Sequence, residues 1–454
     1  MIKKDRFLAK FLKIFYYIVF IVLFSIACTA IIFYASGYKV NLKAGKIQKN
    51  GMILIDYEKD DISIMIDGKN ADYVKGKQGF WAPSNYIIST LPGKYSLEIR
   101  APGKRNYVEN IIVEEEKITK IENLVMIPEQ IKEQKALEET ISQYCISDNG
   151  KKIVYEANEK FFYYNIETGI KKQLPNDFSS NSLSTCSWNS KNEKVILENT
   201  AEKNPSFYVF DSENDNGSFY LHNMFSFVPS FEKIYFSNGN SNIAVGLADK
   251  EIYRVNIDSK NIDSIDKNVS NIIKNNFIFY MKDEEKNVYR IDQTTYSKDV
   301  VIENYEWKKD FEIVFANDNN IFVKDGNLLY RVENRNNMEI IDKEIGSSVK
   351  SKRDYGFFYL KGFELWFYDI GKKKDTIVSR FSQPIKKAET YHSSYIIHSS
   401  PKELGLIRET GLNDQSVKTE NEISDFEILD KEKILLITKD GDGFTLKILD
   451  LEII

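Results

Sequence analysis

Catalysis usually draws on histidine, cysteine or paired carboxylates, and this chain of 454 residues holds three histidines and three cysteines. His222, His392 and His398 are scattered, with no acid or nucleophile at a motif spacing. Each reads as a structural or surface histidine rather than a catalyst. Cys28, Cys145 and Cys186 show no CxxC spacing, so no zinc pattern exists. In an oxidising compartment Cys145 and Cys186 would form a disulfide. If their strands align through Ile146 and Trp188, however, Cys145 stands one residue before its landmark and Cys186 two before. Period-two alternation then sends them to opposite faces and predicts two buried thiols. Asp440-Gly441-Asp442-Gly443 begins like a calcium loop but lacks the glutamate that the twelfth position needs, and it reads as a hairpin turn. There is no GxSxG elbow, no HExxH and no glycine-rich phosphate loop. No catalytic, cofactor-binding or metal-ligating residue is therefore assigned, and the chain is expected not to be an enzyme. Acidic residues are plentiful, but spacing along a chain does not show whether two carboxylates meet at roughly 5 to 10 Å.

What would position any such groups is set first by Ile14 to Tyr34, a run without Asp, Glu, Lys or Arg. Its length of about 20 residues matches that needed to cross a bilayer as a helix. Lys3, Lys4, Arg6, Lys10 and Lys13 precede it against Asp5 alone, and a basic flank is normally retained in the cytoplasm. Phe15, Tyr16 and Tyr17 at one end and Phe33, Tyr34 and Tyr38 at the other suit the two interfaces. A cleaved signal peptide would have a shorter apolar core, although Ala35-Ser36-Gly37 supplies small residues for a cleavage site. The expectation is an uncleaved anchor at 14–36, a basic cytoplasmic tail at 1–13 and an extracytoplasmic remainder.

With 62 basic and 67 acidic residues the net charge is −5, and the basic residues are dispersed. Nucleic-acid binding, which needs a clustered positive surface, is excluded as a purpose. The length suggests two or three domains.

After a polar stalk at 37–50, the stretch 51–128 alternates with period two. Ile62, Ile64 and Ile66 recur on one face, as do Tyr95, Leu97 and Ile99. Asp67-Gly68 marks a hairpin turn, and Leu91-Pro92-Gly93-Lys94 the start of a strand. These features predict a β-sandwich of six or seven strands. The Ile66-Asp67-Gly68-Lys69 turn, Pro83, Leu91-Pro92-Gly93-Lys94-Tyr95, and Ala101-Pro102-Gly103-Lys104 with Tyr107 resemble the PEGA domain, an extracytoplasmic β-sandwich of prokaryotes. The Pro-Glu-Gly-Ala tetrad itself is absent, its place taken by Glu58-Lys59-Asp60-Asp61. The resemblance implies an envelope-facing binding or spacer module without catalytic residues.

Residues 129–142 are polar and rich in helix formers, and read as a linker or frayed helix. From 143 to 454 two patterns repeat. A turn followed by an apolar strand occurs at Ser147 to Ile153, Trp188 to Val195 and Phe227 to Ile234, with weaker copies leading into Phe277, Ile313, Phe357, Ile396 and Ile434. Their spacing of roughly 36 to 44 residues is that of a four-stranded propeller blade. An aromatic, then an apolar residue two positions on, recurs at Tyr164, Tyr208, Tyr253, Tyr289, Tyr330 and Trp366. Because one blade cannot cover its own faces, these aromatics read as packing between blades rather than as sugar-stacking platforms. The turn at Ser147 to Ile153 and the tryptophan Trp188 resemble the repeats of TolB-like β-propellers. Seven or eight blades are expected, with a strand from before Ile141 as one way to close the ring.

The chain is thus read as mainly β: one transmembrane helix, a PEGA-like sandwich and a seven- or eight-bladed propeller. The function expected is a single-pass, extracytoplasmic binding or scaffolding protein of the cell envelope, its partner an envelope protein or a cell-wall or surface glycan. The alternative is a membrane-tethered hydrolase acting on glycans or peptides at the propeller axis. A signalling role is disfavoured because about 13 cytoplasmic residues hold no output domain.

Overall fold

A computed structural model describes residues 2–41, 45–57, 61–76, 85–122, 124–179, 183, 186–199, 206–224, 230–292, 294–308, 310–346, 355–391, 394–411 and 414–451. The chain divides into two compact units between Gln130 and Ile131. Pro83, Phe227 and His392 lie outside the described residues.

The first unit opens with a helix, Ile2–Ala35. Its apolar part, Phe15–Ala35, is 21 residues long and none of it is buried within the protein. A core helix would hide such a surface, so the exposure fits a lipid-facing span. Ser25 and Thr29 satisfy their hydroxyls within the helix, donating to the carbonyls of Ile21 and Ser25 at 2.8 Å. The helix stops where Gly37 takes a positive φ of 82°, and Ser36 and Gly37 cap carbonyls of the last turn. A hairpin, Tyr38–Asn41 with Lys46–Lys49, then takes the place of the expected simple stalk.

Beyond it, two four-stranded sheets share one buried core that includes Ile53, Ile64, Tyr86, Leu97, Ile99, Tyr107 and Ile111. The alternation read at Ile62, Ile64, Leu97 and Ile99 is the buried face of these strands. Asp67 and Gly68 form the expected hairpin turn, with φ of 48° and 75°. Two short strands, Lys69–Asn70 and Val74–Lys75, raise the count to eight.

The second unit is a series of antiparallel sheets in chain order, at 143–173, 187–220, 233–267, 271–302, 312–343, 356–380, 387–418 and 423–450. Seven are four-stranded; the sixth shows three strands among the described residues. Each neighbouring pair from first to seventh shares an apolar cluster. The eighth and the first share one too, with Leu435, Ile437 and Leu446 against Ile141, Ile153 and Tyr155.

The eighth sheet takes its fourth strand from the beginning of the unit. Lys132–Lys135 pairs antiparallel with Gly443–Asp450, from Lys132 opposite Asp450 to Lys135 opposite Lys447. This corrects the reading of 129–142 as a linker or frayed helix. All four residues of the strand are exposed. An outermost strand wet on both faces carries no apolar alternation, and backbone pairing overrides a modest helix propensity.

The six repeated aromatics behave as packing groups. Tyr164, Tyr208, Tyr253, Tyr289 and Tyr330 each lie in the third strand of a sheet and Trp366 in the middle one of the three described strands of the sixth, and all six join the cluster shared with the preceding sheet. In four sheets the register with the last strand shifts just before the aromatic, at Ile252/Tyr253, Val288/Tyr289, Leu329/Tyr330 and Leu365/Trp366. A bulge there turns the ring toward the neighbouring sheet.

A polar clasp recurs between sheets. Tyr280 donates to Asp266 of the preceding sheet at 2.7 Å, and Lys298 and Lys282 approach the same carboxylate at 2.8 and 3.1 Å. Tyr359 and Lys361 hold Asp342 in the same way at 2.9 and 2.8 Å. Tyr155 and Lys171 of the first sheet hold Glu139, just after the strand lent to the eighth. Burial opposes the charge on Asp266, but Lys298, Tyr280 and Lys282 outweigh it and hold its carboxyl down to about 2. A carboxyl depressed on folding stabilises the native state above its unfolded value near 4, and that contribution fades as pH falls through about 4 towards 2. Asp266→Asn is therefore expected to cost about 2 kcal/mol at pH 7. Urea titrations at pH 7, 4 and 2 should show the two proteins converging only at the lowest pH.

Candidate functional site

The residues flagged for chemistry do not converge. His222 is exposed in the short helix Leu221–Met224, beside Tyr220. His398 is buried, its ring 4.4 Å from that of Phe381 and lying on Gly405, where a Cβ would come within 2.3 Å of it. Its Nε2 stands 3.5 Å from Asp414, and neither ring nitrogen is hydrogen-bonded. Asp440 pairs with Gly443 across a hairpin turn in which Gly441 has a positive φ of 58°. Among the described residues no group of three His, Cys, Asp or Glu is arranged to hold a metal ion.

Cys145 and Cys186 do meet, as a disulfide with Cα atoms 6.2 Å apart, which overturns the expectation of two thiols. The alternation argument required both residues to lie in paired strands. Cys145 does, in Gln143–Ile146, but Cys186 precedes the short strand Ser187–Trp188 and is free of its alternation. The Trp188 indole donates to Cys145 Sγ at 3.1 Å, inside the core shared by the first two sheets. Cys28 stays unpaired in the anchor helix.

Apart from the clasps, two sets of polar groups in or next to first strands meet between sheets. In the first, Asp425 and Glu427 of Ile423–Ile428 sit two residues apart and so share a face. Lys387, which begins Lys387–Tyr391 of the preceding sheet, reaches both, at 2.9 Å from Asp425 and 2.6 Å from Glu427. Burial works to depress this ammonium, but Glu427 and Asp425 outweigh it and raise its pKa. Tyr144 of the first sheet feels all three charges, and burial raises its phenol. Two carboxylates, one ammonium and one phenol thus converge from the seventh, eighth and first sheets. With Lys387 holding both acids, the group offers charged and hydroxyl hydrogen-bonding sites; acid–base work by the pair would require displacing the lysine.

The second set is amide-rich. The Asp148 amide donates to Asn192 Oδ1 at 3.1 Å, and Asn189 donates to the Ser241 carbonyl at 3.1 Å. Asn238 donates to the Asn276 carbonyl at 3.0 Å, and Asn275 to that of Ile313 at 2.7 Å. The turns after the first strands of the first four sheets, and the first strand of the fifth, are linked in this way. Lys274 ends Asn271–Lys274 within this group and donates to Ser187 Oγ, two sheets away, at 3.3 Å.

Sequence reasoning missed both sets. Neither has a motif, because each member comes from a different sheet. The signal available was the period: Lys387 and Asp425, 38 residues apart by numbering, occupy related places one repeat from each other.

No protein-family model matches the chain, and no curated protein does. Solved structures similar to it include a eukaryotic initiation factor, at 15% identity over 69% of this chain and 86% of that one, with a TM-score of 0.49. A dihydro-heme d1 dehydrogenase, NirN, is similar at 10% identity over 68% of this chain and 71% of its own, with a TM-score of 0.48. An oligogalacturonate lyase from Vibrio parahaemolyticus shows 9% identity over 73% and 98%, with a TM-score of 0.41. Likeness at this level carries no function from any of them to this chain.

Proposed function

We propose that this is a single-pass membrane protein that displays a β-sandwich and a closed eight-bladed β-propeller outside the cytoplasm, as a binding or scaffolding element of the envelope. The sandwich reading is supported by two sheets around one core. The propeller reading is supported by the core shared between the last sheet and the first, and by the strand Lys132–Lys135 that completes the last. Closure of this kind covers the apolar faces that the first and last sheets of an open array would leave exposed.

The observation that carries the address is the Cys145–Cys186 disulfide. Such bonds persist in oxidising compartments and are rare where glutathione keeps thiols reduced. The charge bias across the helix is smaller support. Five basic residues precede it, against Lys39, Lys43, Lys46 and Lys49 within 15 residues after it.

Binding is favoured over hydrolysis because the converging carboxylates, Asp425 and Glu427, are both held by Lys387. The second reading, a tethered hydrolase of glycans or peptides, rests on the same pair, both members lying within 3.0 Å of one ammonium nitrogen. Pull-down of the detergent-solubilised full chain, with mass spectrometry of the co-purifying proteins and a glycan array in parallel, tests the proposal. A saturable envelope partner is expected. Turnover of a bound glycan, abolished by Glu427→Gln, would replace binding with hydrolysis.

A further inference from the structure

The ammonium of Lys274 is held more weakly than the other lysines that reach between sheets in the second unit. Several lysines that reach between sheets there end on carboxylates, Lys152 on Glu213, Lys194 on Asp258, Lys298 on Asp266, and Lys387 on Asp425 and Glu427, while Lys233 and Lys172 make short bonds of 2.8 and 3.0 Å to Asn271 Oδ1 and the Ser212 carbonyl. Among the described residues Lys274 has no ion pair, and its one polar contact is the long bond to Ser187 Oγ at 3.3 Å. Ser187 is itself buried, and its Oγ already accepts from the Phe236 amide at 3.0 Å. Burial lowers the lysine's pKa against the opposing charge of Asp148 of the first sheet, with which it forms no ion pair. The side chain is nonetheless only half-buried, so solvent reaches it. Surrounding amides, those of Asn189 and Asn275 among them, are spent on backbone carbonyls. A cation drawn this far out of water without a counter-charge is unfavourable, and a carboxylate arriving from solvent would relieve it.

We infer that Lys274, with the Ser187 hydroxyl beside it, is a binding subsite for a carboxylate group of a ligand that docks where the first strands of the second, third and fourth sheets meet. Ser187 Oγ accepts from both neighbours, which leaves its own O–H to donate to the same anion. An ammonium and a hydroxyl presented together suit a single carboxylate oxygen pair. The subsite is the same whichever side of the membrane the sheets face.

Competitive acylation tests it on the full chain in detergent. Lysines are acetylated by an N-hydroxysuccinimide ester at pH 8, and rates at individual residues are read by mass spectrometry. The probe is sodium glucuronate, with glucose plus sodium chloride at matched ionic strength as the control. Glucuronate should slow acetylation of Lys274 at least threefold relative to glucose while leaving Lys298 unchanged. Equal rates at Lys274 in the two conditions would overturn the subsite. Lys274→Met supplies a second reading, since it removes the charge and keeps the length. It should unfold at the same temperature as the parent or higher, and should lose any rise in midpoint that glucuronate gives the parent. A variant whose midpoint falls by several degrees, or which keeps the glucuronate rise, would mark Lys274 as a packing residue instead.

Discussion

Replacing Cys145 and Cys186 together by serine should lower the stability of the second unit by about 4 kcal/mol, the chain-entropy value for a loop of this size. The two cysteines are separated by 41 positions, and the loop they close contains most of the first sheet and the connection to the second. In a unit of this size, a loss of that order corresponds to a fall in thermal midpoint of about 5 to 10 °C. Reduction of the parent protein should reproduce the effect, and the double-serine variant should then be insensitive to reductant. Trp188 offers an independent readout, because its indole nitrogen is 3.1 Å from Cys145 Sγ and its fluorescence should change when the bond is cut. A variant as stable as the parent, with unaltered tryptophan emission, would mean that the two sulfurs are not joined.

Gln134→Pro should be about as damaging, costing about 3 kcal/mol, while Glu133→Pro one residue away should cost under about 1 kcal/mol. The reason is the register of the strand that completes the eighth sheet. Ala136 donates to the Leu446 carbonyl at 2.9 Å, and antiparallel pairs alternate between bonded and non-bonded positions. Gln134, opposite Ile448, is therefore a bonded position, whereas the Glu133 amide points to the free edge. Glu133 also pairs with Lys447 at 2.8 Å, but that contact is exposed and contributes little. Urea midpoints of the two variants measure the difference, and hydrogen exchange along Gly443–Asp450 should rise in Gln134→Pro alone. Equal, small losses in both would show that the strand adds nothing to the eighth sheet.

How much of this was legible in the chain depends on whether a feature is local. The span at Phe15–Ala35, the turn at Asp67-Gly68 and the hairpin at Asp440 to Gly443 are written in neighbouring residues, and all three stand where the pattern puts them. The repeated aromatics were legible through their period, as was their role in packing. A strand from before Ile141 was expected as one way to complete the last unit, but its place at Lys132–Lys135 was not legible, because its partner lies more than 300 residues away and its own composition is that of a solvent-exposed helix. The disulfide was misread by extending strand alternation to Cys186, which precedes its strand. The clasps left a trace that went unread: Ile265-Asp266-Lys267 and Ile341-Asp342-Lys343 repeat in fourth strands, as Tyr280-Met281-Lys282 and Tyr359-Leu360-Lys361 do in strands of the sheets that follow. The polar groups at the first strands had no trace of this kind. Lys387 and Asp425 become neighbours once the seventh sheet meets the eighth, and Tyr144 joins them only once the last sheet packs on the first.

The claim on which the rest depends is that the second unit lies outside the cytoplasm, and protease accessibility tests it most directly. Intact cells carrying the full chain with a C-terminal tag are exposed to a protease that does not cross the membrane, and the tag is followed by immunoblot. Loss of full-length tagged protein before lysis, together with a Cys145–Cys186 bond in the recovered fragments, is the expected result. A tagged chain that survives intact cells and is cut only after lysis, with both cysteines open to alkylation, would contradict the account.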